Sequence, residues 1–257
     1  MAKVSRQFSM EVRLSSMKIR ILDDYSKLSA EAAKYVACRI EQKSNLVLGL
    51  ATGSTPLGMY KQLIKLYQLK QVSFSQVTTF NLDEYYPIAR EIPHSYYSYM
   101  RENLWNRVDI RMENTNIPDG NPVDALKVCL DYEARIEEVG GIDLQVLGIG
   151  ENGHIGFNEP GASLSANTHL VKLSEDTIKA NSRFFVDIND VPKQAITMGM
   201  GTIMKAKEII LLAAGESKAE IIKETLTGVI STQIPASMLQ VHPRVTVLLD
   251  KGAGKLI

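Results

Sequence analysis

The sequence predicts an α/β fold, and three observations support it. Strand-like and helix-like runs alternate along the 257 residues, which is the pattern of βαβ units. Two strand-like runs, Asn45–Leu50 and Ile142–Ile149, are almost continuously apolar, as expected for strands that helices cover on both faces. No change of composition and no linker-like stretch divides the chain. We therefore predict a single-domain, three-layer α/β/α arrangement with a mostly parallel, Rossmann-like sheet.

Each element follows from local periodicity. Short apolar runs predict these strands: Lys18–Leu22, Asn45–Leu50, Gln76–Leu82, Ile142–Ile149, Ala195–Met200, Glu208–Ala213 and Val245–Leu249. Apolar residues at every third or fourth position predict these helices: Ser29–Lys43, with Ser29 as N-cap, Pro56–Lys70, Ser95–Trp105, Asp124–Val139 and Ser217–Leu226. Residues 1–16 precede the first predicted strand, so we expect an N-terminal extension, disordered or foreign to the natural chain, before a domain spanning 17–257.

Composition excludes several classes of protein. Lysines and arginines together total 29, and aspartates and glutamates together also total 29. The formal net charge is therefore zero, and we expect no nucleic-acid partner. The two cysteines, Cys38 and Cys129, cannot build a disulfide framework, which favours a reducing, cytoplasmic location. The sequence contains no apolar run of about 18 residues and no apolar segment near its start, so we expect neither a membrane partner nor a signal peptide.

In a parallel sheet, ligands bind beyond the carboxyl ends of the strands, and three predicted strand ends carry polar residues. The first is the segment 52–56, TGSTP, in which Pro56 suits the first helical turn and Ser54 or Thr55 suits the N-cap. Gly53 allows close approach to the backbone, and free N–H groups at the positive end of a helix favour an anion such as phosphate. Taken alone, such a turn more often only caps its helix.

The second polar segment is NLDEY, residues 81–85, which follows a strand that should be buried. Asp83, at the carboxyl end of this strand, is well placed to act as a general base, since partial removal from water raises its affinity for protons. The alternative is that Asp83 or Glu84 caps the next segment. The residues alone favour neither interpretation.

The third polar segment is the glycine-rich stretch 148–160, GIGENGHIGFNEP. Its first six residues fit G-x-G-x-x-G, but a dinucleotide site also requires a helix to begin there, and the following residues make a poor helix start. We therefore exclude NAD. The stretch instead presents His154 and, five residues later, Glu159. A neutral imidazole near a carboxylate can move protons near pH 7, so we predict a catalytic pair.

Two cations could extend an anion site: Arg183, in the segment ANSRFF, and Lys218, which follows a predicted strand. Either could be ordinary surface charge. Together with the turn at 52–55 they could neutralise a phosphate dianion. The four histidines and two cysteines show no close pairing, so we expect no metal.

The ordered set of motifs resembles the glucosamine-6-phosphate deaminase family from Met17 to about Asp250. The motifs are LATGSTP (50–56), FNLDEYY (80–86), SYYSYM (95–100), GIGENGHIGFNEPG (148–161), ANSRFF (180–185) and LQVHPRVTVLLD (239–250). The resemblance implies conversion of glucosamine 6-phosphate and water to fructose 6-phosphate and ammonia in amino-sugar catabolism. It implies a small-molecule sugar phosphate as the binding partner and no cofactor.

Matched position by position, the resemblance implies that His154 opens the sugar ring with support from Glu159. Asp83 then moves the C2 proton to C1, which gives an enol-amine, and the resulting C2 imine hydrolyses. Two separate acid/base devices are needed, because the C2 proton is only weakly acidic until ring opening supplies a C1 carbonyl. The resemblance implies these further substrate contacts: Thr52, Gly53, Ser54, Thr55, Arg183 and Lys218 at the phosphate, and Tyr85 as a wall of the sugar site. The segment Leu173–Pro192 resembles the family's mobile lid.

The sequence departs from the family pattern in two places. Some members carry Asp two residues before the ring-opening histidine, where this chain has Asn152. An amide cannot titrate, so we expect Asn152 to orient His154 or bind substrate, with an altered pH profile and retained activity. His169 and Val171 stand where the allosterically activated branch has basic residues, and that branch has a longer C-terminus. We therefore expect no activation by N-acetylglucosamine 6-phosphate, and a monomer or small homo-oligomer.

Two other functions fit part of this pattern. The 6-phosphogluconolactonase family is similar in fold and also has a G-x-G-x-x-G-H loop. However, that family typically has Asp-Glu-Arg where this chain has Asp83-Glu84-Tyr85, and it lacks a carboxylate at the position of Glu159. A non-catalytic sugar-phosphate sensor would usually add a DNA-binding segment and would be expected to lose the acid/base residues. Both Asp83 and His154 are present, so we favour the deaminase.

Overall fold

The computed structural model describes residues 10–14, 17–182, 185, 187 and 190–257. The described strands are β1 (Met10–Leu14), β2 (Met17–Leu22), β3 (Val47–Leu50), β4 (Thr78–Asn81), β5 (Asp83–Tyr86), β6 (Thr115–Asn116), β7 (Leu144–Leu147), β8 (His169–Lys172), β9 (Gln194–Thr197), β10 (Ile209–Ala213) and β11 (Val245–Asp250). The described helices are α1 (Tyr25–Gln42), α2 (Ser54–Gln68), α3 (Tyr96–Asn103), α4 (Ala125–Glu138), α5 (Glu175–Asn181), α6 (Met200–Met204) and α7 (Ala219–Thr227).

The main sheet has eight strands within the described residues, in the spatial order β1-β2-β11-β10-β7-β3-β4-β6. All neighbouring pairs from β2 to β6 are parallel, and only the edge strand β1 runs antiparallel to its neighbour. The predicted mostly parallel α/β sheet is therefore confirmed. No helix within the described residues is long and apolar enough to cross a membrane.

Helices cover both faces of this sheet. In β10, Leu211 belongs to the apolar cluster on one face and Leu212 to the cluster on the other, and both side chains are buried. Helices α1 and α2 pack on the face that holds Leu212, whereas α4 and α7 pack on the opposite face. This two-sided burial explains why the central strands read as continuous apolar runs.

Helix α1 begins earlier than the sequence suggests. Asp24 is its N-cap, and its carboxylate accepts a hydrogen bond from the Lys27 N–H at 2.8 Å. The predicted cap Ser29 is wrong, because Ser29 lies inside the helix and is buried against Gly58 of α2.

The first predicted strand, β2, has a neighbour that the sequence did not predict. Met10–Leu14, which lies within the predicted extension, forms β1 and pairs with β2.

A second, antiparallel sheet has the described strand order β5-β9-β8. The predicted strand Ala195–Met200 is therefore placed incorrectly: β9 ends at Thr197 and belongs to this small sheet, and α6 begins at Met200. Strand β5 begins two residues after β4 ends, so the chain passes from the large sheet to the small one at Leu82. The small sheet thereby holds Asp83 at the carboxyl edge of the large one.

Candidate active site

The order of the central strands brings the predicted site residues to one edge. Strands β10, β7, β3 and β4 are consecutive and parallel, so their carboxyl ends lie side by side at a spacing of roughly 4.8 Å. Lys218 follows β10, the loop with His154 follows β7, the turn at 52–55 follows β3, and Asp83 follows β4. Residues more than a hundred positions apart in the sequence therefore converge on one edge of the sheet, where a ligand-binding crevice is expected.

The turn after β3 leaves the start of α2 open. Gly53 is the N-cap of α2, with a φ of 96° that favours glycine, and no described side chain accepts hydrogen bonds from the first-turn N–H groups. The prediction of Ser54 or Thr55 as the N-cap is therefore wrong, because both already lie within the helix. Uncapped N–H groups at a helix start can bind an anion.

Tyrosines from α1 and α3 contact the carbonyl groups of this turn. The Tyr99 hydroxyl of α3 donates a hydrogen bond to the Gly53 carbonyl at 2.7 Å. The Tyr25 hydroxyl of α1 lies 3.0 Å from the Ser54 carbonyl and 2.9 Å from the Thr55 carbonyl. The Tyr25 hydroxyl also accepts the Gly58 N–H at 2.8 Å, beyond the first turn of α2, so these contacts leave the N–H groups of Ser54 and Thr55 without a side-chain partner among the described residues.

Asp83 is almost fully buried but makes no hydrogen bond through its carboxylate to any described residue. Burial, together with the neighbouring charge of Glu84, raises its pKa to about 8. The carboxylate faces the histidine loop, since a Cβ built at Gly156 would lie 3.3 Å from Asp83 Oδ2. An unbonded carboxylate with a raised pKa is suited to accept a proton from a bound ligand.

Glu84, and not Asp83, is the carboxylate that caps the next segment, a choice that the sequence did not decide. Its Oε1 accepts the N–H groups of Tyr85 at 2.9 Å and Tyr96 at 2.8 Å, and its Oε2 accepts that of Tyr97 at 2.8 Å. Burial raises the pKa of Glu84 to about 7, although these three N–H donors act in the opposite direction. The Glu84 carboxylate is therefore occupied by the N–H groups at the start of α3, whereas the Asp83 carboxylate is available to act as a base.

We predict that Glu84→Gln destabilises the fold by about 1–3 kcal/mol, because an amide cannot accept all three N–H donors with the strength of a carboxylate. Removing this like charge should also favour ionised Asp83 and move the acidic limb of the activity profile to lower pH. Urea unfolding and a pH–rate profile would measure both effects. Glu113→Gln, on an exposed turn, is the control, and an unchanged profile in Glu84→Gln would contradict the prediction.

The loop after β7 holds His154 through Asn152. Asn152 Oδ1 lies 2.7 Å from His154 Nδ1 and accepts the His154 N–H at 3.2 Å, and Asn152 Nδ2 donates to Glu159 Oε2 at 2.7 Å. A carboxylate and a backbone N–H together fix which end of the amide faces the histidine. Nδ1 of a neutral His154 therefore carries the proton, and Nε2 keeps a lone pair that can accept one.

Glu159 completes this group, with its Oε2 3.4 Å from His154 Nδ1. Burial by itself would raise the pKa of Glu159, but interactions with His154, Thr177 and Asn152 outweigh it and lower the pKa to about 2. Glu159 is therefore ionised at neutral pH and can stabilise a protonated imidazole. The group formed by Asn152, His154 and Glu159 is called the histidine triad below.

Glycine is required where the imidazole is seated. A Cβ built at Gly150 would lie 2.3 Å from His154 Nδ1, so a side chain at that position would displace the ring. The Gly150 N–H also donates a hydrogen bond to the His154 carbonyl at 3.0 Å, which closes the turn. Because Gly156 of the same loop lies against Asp83, the triad and the candidate base belong to one site.

The structure describes two of the three remaining predicted residues, Lys218 and Tyr85. Lys218 is half-buried at the start of α7, and Arg183 lies outside the described residues, as do parts of the predicted lid segment. Tyr85 lies beside Asp83, but its side chain is 1% exposed and packs against Tyr96 at a ring-centroid distance of 4.6 Å. Its role as a wall of a sugar site stays a prediction.

Several side chains at the site were not predicted. Thr197 is the cross-strand partner of Asp83, and Tyr96 and Tyr99 of α3 contact the turn after β3. The SYYSYM motif contained the two tyrosines, but nothing local tied them to that turn. The part of the chain that the structure describes contains no cluster of three or more His, Cys, Asp or Glu side chains placed to hold a metal ion.

Known proteins with similar sequences identify the family of this chain. A family model described as glucosamine-6-phosphate isomerases/6-phosphogluconolactonase matches residues 23–248. The glucosamine-6-phosphate deaminase of Halothermothrix orenii is 54% identical over 241 residues, covering 94% of this chain and 100% of the relative. That of Clostridium novyi is 55% identical over 238 residues, covering 93% and 99%. The chain belongs to the glucosamine-6-phosphate deaminase family.

Solved structures agree with this membership. A monomeric glucosamine-6-phosphate deaminase aligns with a TM-score of 0.91 at 46% identity, covering 93% of this chain and 99% of that chain. A 6-phosphogluconolactonase from Trypanosoma brucei aligns with a TM-score of 0.74 at 22% identity, covering 92% and 97%. The lactonase match shows a shared fold alone, whereas the two relatives above 50% identity described above are both named glucosamine-6-phosphate deaminase.

Proposed function

We propose that this chain converts glucosamine 6-phosphate and water to fructose 6-phosphate and ammonia. The observation that carries the proposal is the convergence of two acid/base devices on one crevice beside an open helix start. One device is the histidine triad, and the other is the unbonded carboxylate of Asp83. Family membership supplies the substrate, since the named relatives are glucosamine-6-phosphate deaminases.

His154 has the geometry for ring opening. Its Nε2 lone pair accepts the proton of the anomeric hydroxyl, and the resulting imidazolium returns a proton to the ring oxygen as the C1–O5 bond breaks. Asn152 Oδ1 and the ionised Glu159 hold the imidazolium through Nδ1 during this step. The product is the open-chain aldehyde, in which the C1 carbonyl makes the C2 proton acidic.

Asp83 has the environment for the second step. Its carboxylate takes the proton from C2 and returns it at C1, while the C1 oxygen gains a proton and the amino nitrogen loses one, so that the aldehyde passes through an enol-amine to the C2 imine. Water then adds to the imine and ammonia leaves. A buried carboxylate with a pKa of about 8 is a stronger base than an exposed one, which suits removal of a carbon-bound proton.

The phosphate is proposed to bind at the open start of α2. Thr52, Gly53, Ser54 and Thr55 form this turn after β3, and Lys218 follows β10, two strands away along the same edge of the sheet. Arg183, predicted for the same anion, completes the proposed contacts. We further propose a cytoplasmic location, no cofactor, and a monomer or small homo-oligomer, the last supported by a monomeric deaminase among the solved relatives.

The test is release of ammonia from glucosamine 6-phosphate, measured beside hydrolysis of 6-phosphogluconolactone with the same protein. We expect ammonia release and no lactone hydrolysis above the uncatalysed rate. Lactone hydrolysis without ammonia release would favour the lactonase function instead. Binding of the sugar phosphate without either reaction would favour a sensor.

We predict that Asn152→Asp moves the acidic limb of the activity profile to higher pH. A carboxylate at position 152 would stabilise the protonated imidazole, so fewer His154 rings could accept a proton at a given pH. It would also face Glu159 Oε2, which now lies 2.7 Å from Asn152 Nδ2. A pH–rate profile measures the shift, with the exposed Asn106→Asp as the control for added charge. A shift to lower pH would contradict the prediction.

We predict that N-acetylglucosamine 6-phosphate does not activate the enzyme. His169 and Val171, which stand where the activated branch has basic residues, lie in β8 and provide no fixed positive charge to an effector phosphate. Initial rates measured against substrate concentration, with and without the effector, check this. A sigmoidal rate curve that the effector makes hyperbolic would contradict it.

A further inference from the structure

Glu159 contacts two different parts of the chain through its two carboxylate oxygens. Its Oε2 faces the other two members of the histidine triad, Asn152 Nδ2 at 2.7 Å and His154 Nδ1 at 3.4 Å. Its Oε1 instead accepts hydrogen bonds from Ser174 Oγ at 3.3 Å and from Thr177 Oγ1. The oxygen that faces away from the histidine is therefore occupied by hydroxyl groups from the first turn of α5.

These hydroxyls belong to the start of the helix itself. Ser174 is the N-cap of α5, and its Oγ accepts the Thr177 N–H at 3.1 Å while lying 3.0 Å from Thr177 Oγ1. Thr177 is buried, with 6% of its surface exposed. Glu159 is thus hydrogen-bonded to the two residues that define where α5 begins, although 15 and 18 residues separate it from them.

We propose that Thr177, supported by Ser174, is a positioning residue for Glu159, so that α5 and the histidine triad are held in place by one carboxylate. The inference rests on the proposed function and deepens it. Fixing Oε1 leaves Oε2 at one orientation toward Asn152 and His154, which is the orientation that stabilises the imidazolium during ring opening. In return, the ionised Glu159 anchors the first turn of α5.

The test compares Thr177→Val with Thr177→Ser. Valine keeps the shape and removes the hydroxyl, whereas serine keeps the hydroxyl. We expect Thr177→Val to lower kcat/KM for glucosamine 6-phosphate by about ten- to a hundredfold, the range for losing a hydrogen bond to a charged group, and Thr177→Ser to stay within about threefold of the parent. If the serine variant fails as badly as the valine variant, the methyl group and not the hydroxyl is what matters, and the proposal is overturned.

The chain offers a matched control in Thr225 of α7. Its side chain is fully buried, and its hydroxyl has no hydrogen-bond partner among the described residues. Thr225→Val makes the same chemical change at a buried helical position outside the site. We expect its kcat/KM to be unchanged, and equal effects in the two valine variants would overturn the proposal.

An isotope effect separates positioning from simple loss of folded protein. With substrate deuterated at C2, the parent should show a kinetic isotope effect on ammonia release if removal of the C2 proton limits the rate. Slower ring opening in Thr177→Val should bring that effect closer to one, because Asp83 is not part of the Glu159 network. An isotope effect that stays the same while kcat falls would contradict the role assigned to Thr177.

Hydrogen exchange tests the link even if the protein has no deaminase activity. Amides in 175–181 should exchange at least about tenfold faster in Thr177→Val and in Glu159→Gln than in the parent, and Thr225→Val should match the parent. Protection that is the same in all four proteins would overturn the link between Glu159 and α5. Absence of ammonia release in the parent would instead overturn the proposed function and leave the exchange result to decide the link.

Discussion

Replacing Asp83 by Asn should leave binding of glucosamine 6-phosphate largely intact and reduce turnover at least ~100-fold, the low end for losing a general base. Asparagine has nearly the same shape but cannot accept the C2 proton. No described side chain donates a hydrogen bond to the Asp83 carboxylate, so the substitution breaks no contact of the fold. Ammonia release measures turnover, and loss of the C2 proton to solvent deuterium measures the step directly.

The same substitution should stabilise the protein at high pH. The pKa of Asp83 is raised from 3.8 to about 8, so between these values the folded chain keeps a proton that the unfolded chain releases. Stability from this carboxyl is therefore present in acid and is lost as pH rises through about 8. We expect Asp83→Asn to melt a few degrees above the parent near pH 8 and close to it near pH 4.

Asp131→Asn, at an exposed position of α4, is the control for removing one carboxylate. It should change neither turnover nor the pH dependence of melting. Turnover in Asp83→Asn within about tenfold of the parent would remove Asp83 as the general base. A melting temperature below that of the parent at pH 8 would show that its carboxylate has a partner in the folded state.

Replacing His154 by Gln should impair the cyclic substrate far more than an analogue that stays in the open-chain aldehyde form. Glutamine can hydrogen-bond to Asn152 and Glu159 but cannot carry a proton from the anomeric hydroxyl to the ring oxygen. We expect a loss of about 100-fold or more on glucosamine 6-phosphate, as for other proton-transfer groups. Asp83, which acts after ring opening, is left unchanged by this substitution.

The measurement for His154→Gln is ammonia release from the cyclic substrate beside exchange of the C2 proton of the open-chain analogue. The parent and Asp83→Asn provide the two references, because Asp83→Asn should fail on both compounds. An equal loss on both compounds in His154→Gln would refute the assignment of ring opening to His154.

The sequence by itself determined the inner strands of the large sheet and the places where polar residues follow them, but it did not show the edge strands β1 and β6. Apolar runs such as Asn45–Leu50 result from burial on both faces of the sheet, and they can be recognised from consecutive residues alone. The motifs around Asp83 and His154 likewise identified the family, because short ordered motifs can be read without knowing which strands are adjacent.

Only the tertiary structure decided how the polar groups share their partners. Glu84, and not Asp83, accepts the N–H groups of Tyr96 and Tyr97, and this depends on where α3 packs against β5. The hydroxyl of Thr177 reaches Glu159 for the same kind of reason, since α5 packs beside the loop after β7. Hydrogen-bond partners that lie far apart in the sequence are determined by how the elements pack against one another. Local sequence patterns do not show which elements will be in contact.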